Sequence, residues 1–521
     1  MNRIVGSAEA GRGEGTGQER AHKGVRADDD VEVKAARHGR KQVKEDLMKS
    51  VRSLIGIGMC AAVSLVASTV VFGEEPAVPA AAPTGTVQER LTALEGKTDA
   101  PGLWKTAGFQ VSGTVLASYT QNFNNPYTNN NQLRVFDTAA NSFMANLVQI
   151  MLERPASAEG TGMERVGFRA RLNFGTDARF SRARTNIQPG NDNTELDMQE
   201  MYAEYIAPIG NGLKIQFGKI NTLIGYEVIN AWENPNFSRT MMFGLSQAFT
   251  ETGIRFNYTF SKMVAASVGL VNGWDNIEDN NRGKTVTWLL AVTPHDRFGA
   301  SFFGGYGPEQ GNGNNNGTFA TVGVCQNGAA GCDPSAKRLV MGAIITIKPI
   351  DSTTLILEPY YGNESHAGAV NAAGTPINSP SGNARWNGLV AYLMHDLNDQ
   401  TQPNAFSIHA RGEIWEDAGG SRACGGGVNI VGGNNTCAGS GSGTTGGLPT
   451  NFPTTVSNNP FVPGNGLTAW ETTWTLQWKP VPALQTRVEY RYDHADQNVY
   501  LHGTRASNNS NTLGFSVAYM F

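Results

Sequence analysis

The chain has 521 residues, of which 17% are charged, and its formal net charge is −4. A mildly acidic balance gives no reason to expect nucleic-acid binding, which relies on clustered Lys and Arg residues. The mean hydropathy of −0.30 excludes a helical membrane protein, and an aromatic content of 9% argues against a largely disordered chain.

The first 73 residues have the pattern of an export signal. Residues 54–72 form a long apolar run that follows Lys49 and Arg52 and precedes Glu74. A basic segment, an apolar segment and small residues in this order predict a cleaved signal peptide over 48–73. A retained membrane anchor stays open as an alternative, because a run of this length could span a bilayer.

The segments on either side of this signal are polar. Residues 1–47 mix charges of both signs, and we interpret them as a non-native or disordered extension. Residues 74–106 are first rich in Ala and Pro and then amphipathic, which predicts a periplasmic linker with a short helical patch. The remaining residues, 107–521, are expected to form the folded domain.

From residue 107 onwards, apolar and polar residues alternate in short segments. In the last segment Leu513, Phe515 and Val517 share one face, while Gly514 and Ser516 share the other. A period of two predicts β-strands whose two faces meet different environments. Sixteen strands are predicted, at 107–121, 142–154, 163–175, 197–207, 211–218, 252–260, 263–272, 284–293, 297–306, 337–348, 353–362, 384–396, 404–416, 467–479, 484–494 and 511–521.

The connections between these strands alternate in length. Short turns such as 208–210 and 294–296 alternate with long loops rich in Asn and Gly, such as 307–336 and 417–466. Sorting of short turns to one rim and long loops to the other is typical of bacterial outer-membrane barrels, whereas a soluble β-sandwich has no reason for it. The sequence therefore predicts an all-β protein, a transmembrane antiparallel up-and-down β-barrel of about 16 strands with short periplasmic turns and long external loops.

The end of the chain and the strand number suggest partners. Phe515, Tyr519 and Phe521 alternate in phase, and this ending resembles the signal that the barrel-insertion machinery reads. A barrel of this kind is expected in the outer membrane of a Gram-negative-like bacterium, in contact with its lipid. Sixteen strands are typical of trimeric general porins, so a homotrimer is one expectation.

One stretch, residues 212–258, carries a family resemblance. It contains FGK at 217–219, IGYE at 224–227, NPNFSR at 234–239 and TG at 252–253. In combination these residues resemble the OmpL-like β-barrel porins, and the strand layout over 107–521 is similar to that family as well. The resemblance implies a channel-forming outer-membrane protein without a cofactor, and it implies no particular solute.

Charged residues recur on the polar faces of the predicted strands. A charge that faces lipid near the bilayer midplane costs about 2–4 kcal/mol, so these residues are expected to face the lumen. Whether they line a selective path or form a structural ladder of paired charges stays open. The expected pore-lining residues are Arg165, Arg169, Arg171, Arg255, Arg411, Glu413, Arg487, Glu489 and Arg491.

The third long connection, 219–251, is less polar than the other loops, and an apolar loop is unfavourable in water. By rank and composition it is similar to the third loop of general porins, which folds into the barrel and narrows it. We expect Glu227, Glu233 and Arg239 to lie near the narrowest part of the lumen, facing the arginines of 163–175. Two additional strands, or a subunit contact, are the alternatives for this stretch.

Four of the five cysteines fall as two local pairs in Gly- and Asn-rich loops. Cys325 and Cys332 share one loop, and Cys424 and Cys437 share another. Both pairs fit disulfides formed in an oxidising compartment, with free thiols as the alternative. Neither pair is accompanied by a CxxC motif or by a neighbouring His, so a zinc site is not predicted.

These features predict a porin for passive diffusion of small hydrophilic solutes and ions through a water-filled lumen. The histidines are scattered, and the chain contains neither GxSxG nor HExxH, so neither an enzyme nor a metal site is predicted. The alternative is an adhesin or receptor barrel that uses its long external loops.

Overall fold

The computed structural model describes residues 108–181, 183, 195–279, 281–309, 335–365, 383–418, 422 and 466–521. The predictions for residues 1–47, 48–73 and 74–106, and for both cysteine pairs, lie outside the described residues.

The alternating segments form β-strands, and each predicted strand is present with ends within about three residues of its predicted position. Eighteen strands are described: β1 (Gln110–Asn122), β2 (Ser142–Arg154), β3 (Val166–Phe174), β4 (Leu196–Ala207), β5 (Leu213–Asn221), β6 (Thr250–Thr259), β7 (Val264–Trp274), β8 (Thr285–His295), β9 (Phe298–Pro308), β10 (Lys337–Ile350), β11 (Thr353–Glu364), β12 (Ala384–Asp396), β13 (Ala405–Asp417), β14 (Leu467–Val481), β15 (Leu484–Ala495), β16 (Tyr500–His502), β17 (Arg505–Ser507) and β18 (Asn509–Met520).

Sixteen of these strands, β1–β15 and β18, close into one antiparallel barrel, which confirms the predicted fold class. Each of these strands pairs with the next barrel strand along the chain, and β15 pairs with β18 past the hairpin of β16 and β17. β1 closes the barrel against β18, with Tyr119 opposite Phe515. The backbone of Phe521 continues this ladder through two hydrogen bonds with Gly113, of 2.8 and 2.9 Å. Closure leaves no edge strand in the barrel sheet, which a bilayer requires.

The two faces of each strand differ as the alternation predicts. On β14, Trp474 and Leu476 are exposed by 55% and 47%, whereas Thr473 and Thr475 between them are buried. Buried polar groups on one face and exposed apolar groups on the other are the reverse of a soluble protein and match a barrel in lipid. Among the described residues, no helix is both long and apolar enough to cross a membrane.

The connections also follow the predicted sorting. At one rim the turns are as short as 351–352 and 482–483, whereas the other rim carries long connections such as 123–141 and 222–249. The loop predicted after β15 contains the additional hairpin of β16 and β17, which pair with each other and stay outside the barrel sheet.

The main apolar cluster lies among the loops of the long-loop rim. Phe136 packs against Phe180, Phe243 and Phe249, with ring centroids 5.5–6.2 Å apart. Trp386 and Trp415 on the inward faces of β12 and β13 belong to the same cluster and are fully buried. This part of the barrel interior is therefore packed by loop side chains.

Candidate functional site

The connection between β5 and β6, residues 222–249, is called the third loop. It contains a 3-10 turn over Ala231–Glu233 and one short helix, α1 (Met241–Ser246). Thr240 caps this helix, because its hydroxyl accepts a 2.9 Å hydrogen bond from the N–H of Phe243. The third loop contains no strand, so the alternative of two additional strands is wrong.

Two carboxylates of the barrel wall accept hydrogen bonds from the third-loop backbone. Glu413 on β13 accepts from the N–H groups of Met241 and Met242, at 2.8 and 2.6 Å. Glu489 on β15 accepts from the N–H groups of Phe237 and Ser238, at 2.6 and 3.0 Å. Together, these two side chains hold the third loop at four backbone N–H groups.

Three arginines on the same strands donate to the third loop. Arg411 donates to the carbonyl of Ser238 at 2.5 Å, and Arg487 donates to the carbonyls of Ala231 and Asn234 at 2.8 and 2.5 Å. Arg491 donates to the carbonyl of Arg239 at 2.5 Å. Because these contacts use the loop backbone, they fix its path whatever its side chains are. We call the inward faces of β13–β15 the anchoring wall.

The position of the anchoring wall shows how far the third loop reaches. The loop leaves the barrel at β5 and returns at β6, whereas β14 lies eight strands from β6 in a ring of sixteen, which is half of the circumference. Asn236 nevertheless donates to Thr475 on β14 at 2.8 Å. The third loop therefore bonds to the wall opposite its own strands.

On the β2–β4 side, the third loop meets a buried network of amides. The Gln149 side chain donates to Asn173, Gln199 and Asn230, at 2.8–3.2 Å. Asn230 also donates to Glu233 at 2.7 Å. The third loop therefore meets this side of the barrel through buried amide hydrogen bonds.

The first loop, residues 123–141, contributes a contact that the sequence analysis did not anticipate. Arg134 donates to Asp137 at 2.5 Å and to Asp493 on β15 at 2.6 Å. The guanidinium of Arg239 lies 4.6 Å from the ring centroid of Phe136. The apolar residues around Arg134 in an otherwise polar loop, Leu133, Val135 and Phe136, are the signal that could have indicated this packing.

On the other side of the third loop, a small cavity lies against the inward faces of β6–β10, which we call the cavity wall. It measures about 20 Å³. The loop contributes Ile224 and Ala248 to this cavity, and the wall contributes the charged residues Glu251, Glu309 and Arg338. The cavity has room for about one water molecule.

The family model that matches this chain is described as "Putative beta-barrel porin-2, OmpL-like", and it covers residues 108–521. That match includes every described barrel strand and the whole third loop. The chain belongs to this OmpL-like porin family. It is accordingly an outer-membrane β-barrel of the porin kind, as the resemblance over 212–258 had implied.

Solved structures with a similar fold include several outer-membrane channels. The outer-membrane channel DcaP of Acinetobacter baumannii is 12% identical, with a TM-score of 0.45 and coverage of 81% of this chain and 100% of that chain. OprB of Pseudomonas putida is also 12% identical, with a TM-score of 0.45 and coverage of 86% and 100%. An anion-selective porin from Comamonas acidovorans is 8% identical, with a TM-score of 0.46 and coverage of 79% and 99%. A search of curated protein sequences returned no match.

In this porin, the residues that the sequence analysis assigned to the pore wall have different surroundings. Arg411, Glu413, Arg487, Glu489 and Arg491 form the anchoring wall and are buried. Arg411 and Arg491 form ion pairs, Arg411 with Glu227 and Glu471 and Arg491 with Asp493. All five residues hydrogen-bond to the third loop.

The expected pore-lining residues of β3 and β6 form a second set of ion pairs. Arg169 pairs with Glu153 at 2.6 Å, and Arg171 pairs with Glu200 at 3.2 Å. Arg255 pairs with Glu251 at 2.9 Å. Arg165, which was predicted within the strand 163–175, lies in a 3-10 turn before β3 and donates to the carbonyl of Ile206.

The three residues expected near the narrowest part of the lumen, Glu227, Glu233 and Arg239, have different partners in the structure. Glu233 is near Arg171 of β3, as expected, and burial raises its pKa above the ordinary value. Glu227 instead pairs with Arg411 at 2.9 Å, on the anchoring wall. Arg239 donates to backbone carbonyls of its own loop, those of Ile229 and Phe237. The expectation that all three face the β3 arginines is therefore wrong for Glu227 and Arg239.

Proposed function

We propose that this porin allows passive diffusion of small hydrophilic solutes and ions through a lumen that the third loop narrows. The observation that carries the proposal is the attachment of this loop to the anchoring wall through its own backbone. A loop held in this way occupies part of the lumen permanently and sets the size of what remains.

The energy of this attachment supports a permanent position for the loop. A hydrogen bond to a charged group contributes about 1.5–3 kcal/mol, and Glu489 and Arg487 each make two such bonds to the loop backbone. Glu413 makes two more bonds to the loop backbone. Thermal motion at ordinary temperatures would seldom break all of these bonds together. We therefore expect a constant open state, without frequent closure by this loop.

Planar-bilayer recording tests the proposal. Purified protein, extracted folded from outer membranes in detergent, would be added to a lipid bilayer under an applied voltage. Discrete and stable current steps are expected. Folding would be checked by the faster migration of the unheated protein in detergent gels. Protein that is folded and inserted but carries no current would overturn the proposal and would favour the adhesin or receptor role.

A further inference from the structure

The charged side chains that bond to the third loop are buried, so they form little of the surface that a solute can touch. Arg411 and Glu489 lie on the anchoring wall and are 1% and 4% exposed. Glu358 on β11 is also 1% exposed, and it accepts a 3.2 Å hydrogen bond from the backbone N–H of Tyr226 in the loop. Solutes in the lumen therefore meet other inward-facing residues.

A row of neutral residues is open to the lumen in the half of the barrel near the short turns. On β8–β10 these residues alternate in phase with Thr287, Gly305 and Val340, which border the cavity and face inward. The members of the row are partly exposed, and they are Ala291, Ser301 and Thr346. Charge returns towards the short-turn rim, where Lys348 on β10 and Asp396 on β12 are partly exposed.

Four apolar side chains continue this neutral surface next to the third loop. Tyr226 of the loop, Leu289 on β8, Ile344 on β10 and Met394 on β12 pack against the main apolar cluster and stay partly exposed. We call these four residues the apolar patch. The ring of Tyr226 packs against that of Tyr392, with centroids 4.9 Å apart, and its hydroxyl donates to the sulfur of Met394 at 3.8 Å. These two contacts fix the orientation of Tyr226, so the patch has a defined shape.

The apolar patch borders the lumen, and an apolar surface in contact with water is typical of a binding site. An aromatic ring suits this patch, because the ring of Tyr226 and the sulfur of Met394 both make favourable contacts with aromatic rings. Thr354, which lies opposite Met394 in the strand ladder, offers a hydroxyl to polar substituents of the same solute. A charged group gains nothing at the patch, because it would lose hydration without meeting an opposite charge there.

We propose that the apolar patch binds neutral solutes that carry an aromatic ring together with hydroxyl groups. This inference rests on the proposed porin function and specifies the class of solute that the lumen retains. The ring of the solute covers Leu289, Ile344 and Met394, and its hydroxyl groups face the neutral row and water. The buried charges of the anchoring wall hold the third loop, which carries Tyr226 into the patch.

Block of the ionic current tests the solute class. Phenyl β-glucoside carries a ring and hydroxyl groups, methyl β-glucoside carries the hydroxyl groups alone, and benzoate carries a ring with a negative charge. Each compound would be added to both sides of a bilayer that contains the purified protein. Phenyl β-glucoside is expected to reduce the current at a concentration several-fold lower than either of the others. Equal block by the two glucosides, or stronger block by benzoate, would overturn the proposal.

Two adjacent isoleucines of β10 test the location. Ile344 faces the lumen, whereas Ile345 lies on the opposite, lipid-facing side of the strand. Ile344→Thr should raise the concentration of phenyl β-glucoside for half-maximal block about threefold, because roughly one methylene contact with the solute is lost. Ile345→Thr is the matched control and should leave this concentration unchanged. An equal effect of the two substitutions, or no effect of Ile344→Thr, would overturn the assignment to the patch.

Equilibrium dialysis with radiolabelled phenyl β-glucoside separates this proposal from the porin function, because it requires no current. Saturable binding that Ile344→Thr weakens, in a folded protein that carries no current, would support the apolar patch and overturn the porin function. A conducting channel that shows neither saturable binding nor preferential block would overturn the apolar patch and leave the porin function in place.

Discussion

The guanidinium of Arg411 lies 2.9 Å from the carboxylate of Glu227, and neither side chain is more than 1% exposed. This ion pair joins β13 to a loop whose own strands lie across the barrel. Arg411 also donates to Glu471 on β14 at 2.6 Å, so one guanidinium serves the loop and the wall together. Charges buried this deeply are stable only when each has a partner, which makes the pair a sensitive point of the structure.

Arg411→Met should therefore destabilise the protein strongly. Removal of one partner of a buried ion pair typically costs about 3–5 kcal/mol, because the remaining carboxylates stay buried without compensation. The midpoint of thermal unfolding in detergent should fall by several degrees, and single-channel currents should become noisier as the third loop loosens.

The double variant Arg411→Met/Glu227→Gln is the control for this prediction. It removes the loop carboxylate that the first change leaves unpaired, so part of the lost stability should return. Strictly additive effects of the two substitutions would contradict a direct coupling between Arg411 and Glu227.

Glu489→Gln should weaken the attachment of the third loop while leaving the barrel closed. The carboxylate accepts from Phe237 and Ser238 through its two oxygens, and Gln offers only one acceptor. We expect a larger or more variable single-channel conductance, because the loop then moves away from the wall for part of the time. Asp351→Asn removes a charge at an exposed turn and should match the unsubstituted protein. A conductance equal to that of the control would argue against a narrowing role for the loop.

Asp177, in the loop after β3, should make stability depend on pH. Burial raises its pKa from 3.8 to about 6. The folded state therefore holds this proton more tightly than the unfolded state does, and stability should fall as the pH rises from about 4 to 6 and then level off. Asp177→Asn should remove this part of the pH dependence. At pH values above 7, the variant should have a higher midpoint temperature of unfolding than the unsubstituted protein. An unchanged slope of the midpoint against pH between 4 and 6 would contradict the assignment.

The barrel itself follows from the sequence because strand periodicity is local. The two faces of β14, with Trp474 outside and Thr475 inside, can be read from neighbouring residues. The long-range contacts inside the barrel cannot be read in this way. Arg134 and Asp493 form an ion pair although they are 359 residues apart in the sequence. The sequence also gives no indication that Glu413 accepts hydrogen bonds from the backbone N–H groups of Met241 and Met242. Alternation identifies which charges point inward, and the path of the third loop decides which of them it bonds to.

Gly305 offers a direct test of where the lumen is narrowest. An added methyl group at this position meets Ile224, Thr287 and Val340 at 3.4–3.6 Å, which are ordinary contact distances, so Gly305→Ala should fold normally. The methyl group would fill part of the gap between the third loop and the cavity wall, and the single-channel conductance should fall by a clear fraction.

Gly514→Ala is the matched control for this change. Its added methyl group lies inward on β18 with its nearest contacts at 3.8–4.0 Å, so it is tolerated equally well but stands on the side that the third loop closes. Its conductance should equal that of the unsubstituted protein. The contrary result would be that Gly514→Ala lowers the conductance as much as Gly305→Ala does. A methyl group far from the gap between Ile224 and β9 would then obstruct the current equally. In that case the narrowest passage could not lie in this gap.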